Sequence, residues 1–190
     1  MNELRCIIGG DEINFPYSIE EYITLEGHLV VAKPKNARSL LQSVINIRPD
    51  IIIINATIQT NNIIELCKNI SEQNVAPIIL IANQLETSKL TSYMKTDVFN
   101  YIITPITRDN FISILEFSIS KFQQINDLEK KVKEYEKQIE SRVLIEKAKG
   151  MLMQRKGLSE DEAYKMMRKI SMDQCLSMQR VAKAIIKKLG

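Results

Sequence analysis

The chain has 190 residues, enough for one or two domains with a real buried core. Its net charge of +3 hides an uneven spread. Residues 1–117 carry 9 Lys/Arg against 13 Asp/Glu, residues 118–140 carry 5 and 5, and residues 141–190 carry 12 and 5, giving −4, 0 and +7. Any nucleic-acid footprint therefore belongs at the C-terminal end. That basic tail lacks the Trp/Phe face of an interfacial helix, the longest apolar runs are strand-sized, and Met1-Asn2-Glu3 is not a basic leader. A cytoplasmic protein with no membrane partner is expected. Cys6, Cys67 and Cys175 are scattered and form no CxxC pair, so they read as reduced, mostly buried thiols with no metal site.

Short runs rich in Ile and Val at 4–8, 29–32, 50–55, 77–82 and 100–103 predict five strands. The run Ile51-Ile-Ile-Ile54 is apolar on both faces, as a central parallel strand covered by helices must be. Amphipathic segments near 14–26, 36–47, 60–73, 86–95 and 107–123 alternate with them. This alternation predicts an α/β domain, a doubly wound five-stranded parallel sheet whose functional groups gather at the C-terminal ends of the strands. His28, the single histidine, opens a strand beside Gly27 and has no motif partner, so it reads as structural.

The strand ends carry Gly9-Gly10-Asp11-Glu12, Asn55 after Ile51–Ile54, Ala82 closing Pro77-Ile-Ile-Leu-Ile-Ala82, and Thr104-Pro105 after Tyr101-Ile-Ile. This pattern resembles the receiver domain of response regulators with its phosphorylation chemistry removed. The resemblance implies an aspartate acceptor where Asn55 stands and a second carboxylate where Gly10 precedes Asp11. It also implies a hydroxyl at Ala82 and a lysine at Thr104. An amide is a poor phosphate acceptor and a poor Mg²⁺ ligand, alanine cannot hydrogen-bond a phosphoryl oxygen, and threonine cannot ion-pair with one. Asp50 begins its strand, at the wrong edge of the sheet to substitute. A pseudo-receiver over residues 1–117 is expected, with no cofactor and no metal.

Residues 107–145 contain neither Gly nor Pro and favour one long helix. Ile125, Leu128, Val132, Tyr135 and Ile139 follow spacings of 3, 4, 3 and 4, a short heptad seam flanked by Lys and Glu. The seam marks residues 118–141 either as a coiled-coil linker joining two copies or as a solvated helix packed on its own domain. Continued at heptad spacing, it reaches Arg142, Glu146, Lys149 and Met153.

In the helix at 142–156, Leu144, Ile145, Ala148 and Leu152 share one apolar arc. Arg142, Lys149 and Lys156 form a basic stripe beside it, with Met153 on the stripe and Gly150 just beyond. Outward Lys149 and Gly150 would be replaceable with little loss of stability, though Gly150 also suits close helix packing. Gly157 fits a helix stop, Ser159-Glu-Asp-Glu162 a capping box, and Ser177 the cap of a third helix. Ala163, Met166, Met167 and Ile170, then Val181, Ala182 and Ile185, supply the inward faces. Tyr164 either stacks on an unpaired base or closes the bundle.

The motifs Ile145-Glu-Lys-Ala-Lys-Gly150, Leu152-Met153, Gly157-Leu-Ser159, Glu162-Ala-Tyr164, Arg168, Met172-Asp173 and Val181-Ala182 resemble the ANTAR domain, a three-helix module of bacterial antiterminators. The resemblance runs from Arg142 to about Ile186, within a module expected over residues 142–190, and implies binding to paired hairpins in leader mRNA, where terminator formation is prevented. Arg142, Lys147, Lys149, Gly150, Met153, Arg155, Lys156, Tyr164, Arg168 and Lys169 become the candidate RNA contacts. The expected protein is not an enzyme. It is a homodimeric antiterminator in which a sensor or sequestering protein, rather than phosphate, operates the switch. The alternatives are a protein-interaction scaffold dimerising through the coiled coil and, more distantly, DNA binding through residues 177–188.

Overall fold

The computed structural model describes residues 3–10, 18–83 and 99–189. The helix expected at 86–95 and the candidate Asp11 lie outside these residues. The chain forms two compact units, Met1–Ile125 and Asn126–Gly190.

The first unit contains β1 (Arg5–Gly9), α1 (Ser18–Leu25), β2 (Leu29–Ala32), α2 (Ala37–Ile47), β3 (Ile51–Asn55), α3 (Ile63–Glu72), β4 (Ile78–Ala82), β5 (Asn100–Ile103) and the start of α4 (Arg108–Lys156). The strands form one parallel sheet in the order β2-β1-β3-β4-β5. The doubly wound sheet is thus the one the Ile-rich runs predict. Every residue of β3 and β4 is buried, because helices cover both faces. Alternate side chains divide between two cores. Ile52 and Ile54 join Leu40, Val44 and Ile70 on one side, while Ile51 and Ile53 join Ile19, Ile23, Phe111 and Leu115 on the other.

Apart from His28 Nε2, which has no hydrogen-bond partner among the described residues, the buried polar groups are tied into this frame. The Asn100 amide donates to Ser118 Oγ (2.8 Å), which donates to the Ile114 carbonyl (2.6 Å), fastening β5 to α4. His28 is buried, and the Leu4 amide donates to its Nδ1 (3.4 Å). Burial pushes the Cys6 and Cys67 thiols up to about 12, leaving neither a thiolate at neutral pH, whereas Cys175 is exposed.

The second unit contains the rest of α4, α5 (Glu160–Asp173) and α6 (Met178–Leu189). The expected long helix is longer still, running unbroken for 49 residues. It stops at Gly157, whose φ of +67° is left-handed and whose amide donates to the Met153 carbonyl (3.0 Å). Ser159 then opens α5 through a reciprocal capping box with Glu162, and the Arg180 amide donates to Ser177 Oγ (3.3 Å) at the start of α6. Ala148, Leu152, Ala163, Met167, Val181 and Ala182 form the core, edged by Leu144, Ile145, Met166, Ile170 and Ile185. Met166 and Met167 are core residues here.

Candidate nucleic-acid interface and the emptied receiver pocket

The sheet gathers four of the sequence positions along one edge. Gly9 pairs with Ile54 and Ala82 with Ile103 in the register, and the Thr104 amide donates to the Ala82 carbonyl (3.0 Å). Gly10, Asn55, Ala82 and Thr104 therefore stand at the ends of adjacent strands. Asn55 is buried, and its Oδ1 accepts from the Thr57 amide (3.0 Å) and the Thr57 hydroxyl (2.9 Å). Both lone pairs of that oxygen are committed to the chain's own loop. Gly10 has φ +143°, which other residues rarely adopt, and its amide donates to the Pro34 carbonyl (2.9 Å). The turn itself thus favours glycine over the carboxylate a receiver needs there. A divalent cation wants anionic oxygens, and among the described residues, which leave out Asp11, this edge offers an occupied amide, a glycine, an alanine and a threonine, none of them anionic.

In the second unit the candidates divide into three groups. Arg142, Lys147, Arg155, Lys156, Arg168 and Lys169 are exposed, and none forms an ion pair among the described residues. Tyr164 lies four residues before Arg168 on α5 and is 46% exposed, so part of its ring is open to solvent. Gly150 and Met153 face away from the module core, and a Cβ built at Gly150 meets nothing within 4 Å. Close packing inside its own module therefore does not explain that glycine.

Lys149 is a correction. Its expected outward position is not found, for it is only 8% exposed. Its Nζ donates to Glu160 (2.7 Å), the first residue of α5, and to Glu146 (3.0 Å), one turn back on α4. These bonds, Glu160's first, hold the ammonium above the ordinary lysine range, and Lys149 in turn holds Glu160 below the carboxylate range. The Ser159 amide and hydroxyl lower Glu162 likewise. Lys149 thus clamps the turn between two helices instead of offering charge to solvent. Lys149→Ala should lower the melting midpoint of the C-terminal module, while Lys147→Ala should stay within about 0.5 kcal/mol of the parent. Thermal unfolding of the two variants compares them. Equal midpoints would mean the clamp contributes nothing, as exposed ion pairs often do not.

The family model of the response regulator receiver domain matches residues 7–116, more than half of the chain, and that of the ANTAR domain matches residues 133–186. The chain belongs to the receiver family of response regulators and carries an ANTAR domain. This pairing is the architecture of a transcription antitermination regulator, a regulatory and not an enzymatic type. The chain is 25% identical to the transcriptional regulatory protein PdtaR of Mycobacterium tuberculosis (strain H37Rv) over 186 residues, covering 98% of this chain and 91% of that one. Solved structures agree on the fold alone. The signal receiver domain of a modulated diguanylate cyclase from Desulfovibrio desulfuricans G20 matches with TM-score 0.55 at 18% identity, over 65% of this chain and 98% of that one. NtrX from Brucella abortus matches with TM-score 0.57 at 16% identity, over 68% of this chain but 29% of its own length. The ANTAR match starts at residue 133, so it takes in the later part of the heptad seam. No helix among the described residues is long and apolar enough to cross a membrane.

Proposed function

We propose that this receiver–ANTAR protein is an RNA-binding antiterminator that grips hairpins in leader mRNA and keeps a terminator from forming. The observation that carries the reading is the set of six exposed, unpaired cations on the ANTAR unit, with Tyr164 exposed among them. Cations free of carboxylates neutralise phosphates, and an exposed aromatic ring can stack on a base splayed from a loop. In this reading residues 1–117 receive the signal, 118–141 join two copies, and 142–190 bind RNA in the cytoplasm. A hairpin titration at low and moderate salt tests it. If about six phosphates are neutralised, affinity should fall roughly 10³-fold or more between about 50 and 200 mM salt. Absence of binding to any hairpin would leave the scaffold reading, in which the linker and pseudo-receiver only hold partners.

Control in this proposal is by a sensor or sequestering protein with unequal affinity for two states of the regulator, since only unequal affinity shifts an equilibrium. The emptied sheet edge supports it. A small phosphodonor with Mg²⁺ should leave the intact mass and the RNA affinity unchanged, and Asn55→Asp alone should not restore modification while Gly10 and Thr104 remain. A phosphate-dependent mass increase in the natural protein returns it to ordinary phosphorelay control.

A further inference from the structure

On α4, Ile125, Leu128, Val132, Tyr135 and Ile139 are all exposed, and so is Val143, at 60%. Single exposed apolar side chains need no explanation, but six in line along one helix do. We infer that a second copy of α4 covers this line in parallel register, and that the contact shifts out of its heptad after Ile139 to run through Val143, Gly150 and Met153 into the ANTAR domain. The inference rests on the dimeric reading above and extends it to residues otherwise assigned to RNA.

The flanking charges select the occupant. With Ile125, Val132 and Ile139 at the first core position of each heptad, Glu129 and Glu136 fall on one flank and Gln124, Lys131 and Gln138 on the other. Parallel, in-register pairing sets each residue of the second flank against the one five positions later on the first flank of its partner. Lys131 then meets Glu136, twice by symmetry, and Gln124 meets Glu129. Antiparallel pairing would set the acidic flanks against each other, acid on acid. The surface is self-complementary in one direction only.

The path of the contact follows from what the helix does next. A strict heptad would carry the seam to Arg142 and Lys149. Arg142 would face its own copy, and Lys149 is turned into its own module by Glu160. Four residues beyond Ile139 stands Val143, and from there the alternation of three and four resumes at Glu146, Gly150 and Met153. Two successive steps of four make a stutter, which locally unwinds a left-handed supercoil. The new line lies opposite the arc that Ala148 and Leu152 bury in the module. Glu146 is acidic, but Lys149 holds its carboxylate at 3.0 Å, so no bare anion faces its copy. Gly150 has open space where its side chain would be, which fits the point of closest backbone approach between the two helices. Met153, unbranched and 38% exposed, can fill the gap beyond it.

Cysteine cross-linking on the full chain tests the path. In a Cys175→Ser background, which removes the exposed thiol, Val132→Cys, Arg142→Cys, Val143→Cys and Gly150→Cys are each oxidised with copper phenanthroline. Non-reducing gels are expected to show a doubled mass for Val132→Cys, Val143→Cys and Gly150→Cys, and a single-chain mass for Arg142→Cys. Cross-linking of Arg142→Cys at least as strong as that of Val143→Cys overturns the stutter. Cross-linking of Val132→Cys alone overturns the extension but keeps the dimer. No cross-link anywhere, with a monomer mass by light scattering, overturns both and leaves the line to another protein. None of these outcomes depends on RNA, so a failed hairpin titration with the cross-links intact would sink the antiterminator reading and spare the seam.

Discussion

Replacing Val132 and Ile139 together by glutamate is expected to halve the particle mass in light scattering. Binding to paired hairpins should weaken by about 10²–10⁴-fold, the gain that linked modules draw from effective concentration. Both residues are exposed within one chain, so nothing in the fold of the single molecule needs them. Glutamate is also a good helix former, and α4 should persist. The damage appears only when two copies meet, because four like charges would be desolvated in one seam. Melting of the C-terminal module should hardly move in the variant. Unchanged mass would show that two copies do not associate through this line.

Leu152→Ala is expected to destabilise the ANTAR unit by about 2–5 kcal/mol, the usual cost of emptying a fully buried leucine site. Leu152 is 1% exposed in the cluster shared by all three helices. A small module has little stability in reserve, so a loss of this size should unfold much of it near physiological temperature. The receiver unit has separate cores around Ile52 and Ile53 and should keep its own transition. Calorimetry should resolve the early loss of the C-terminal module. A single, unshifted transition would show that the two units melt as one and that Leu152 is not decisive.

The strands were legible because Ile51 to Ile54 are buried on both faces, a burden only a covered parallel strand imposes. The turn at Gly157 and the Ser159–Glu162 box were legible because their bonds span three or four residues. Lys149 was not, since helical angle places it beside the apolar arc and says nothing about where a long side chain ends. Its partner Glu160 sits on the next helix, beyond the turn. A basic residue followed one turn into the next helix by an acid at its first position was the available signal. Val143 drew no notice for a related reason: extrapolating a strict heptad passes over it, and its 60% exposure, on which the inferred shift rests, belongs to the folded chain. Gly10 looked like a lost carboxylate, whereas its φ of +143° gives the backbone its own demand for glycine. The RNA roles of the exposed candidates and the division at 117 and 141 remain proposals on which the experiments above bear.

Each helix of the ANTAR unit contributes one wholly buried alanine, Ala148, Ala163 and Ala182, to the same cluster. Alanines at such sites let helices lie close together, and enlarging any of them forces neighbours off their rotamers. Substitutions at outward positions such as Tyr164 and Arg168 leave this three-way contact untouched, whereas a larger side chain at any one of the alanines has to push two other helices aside.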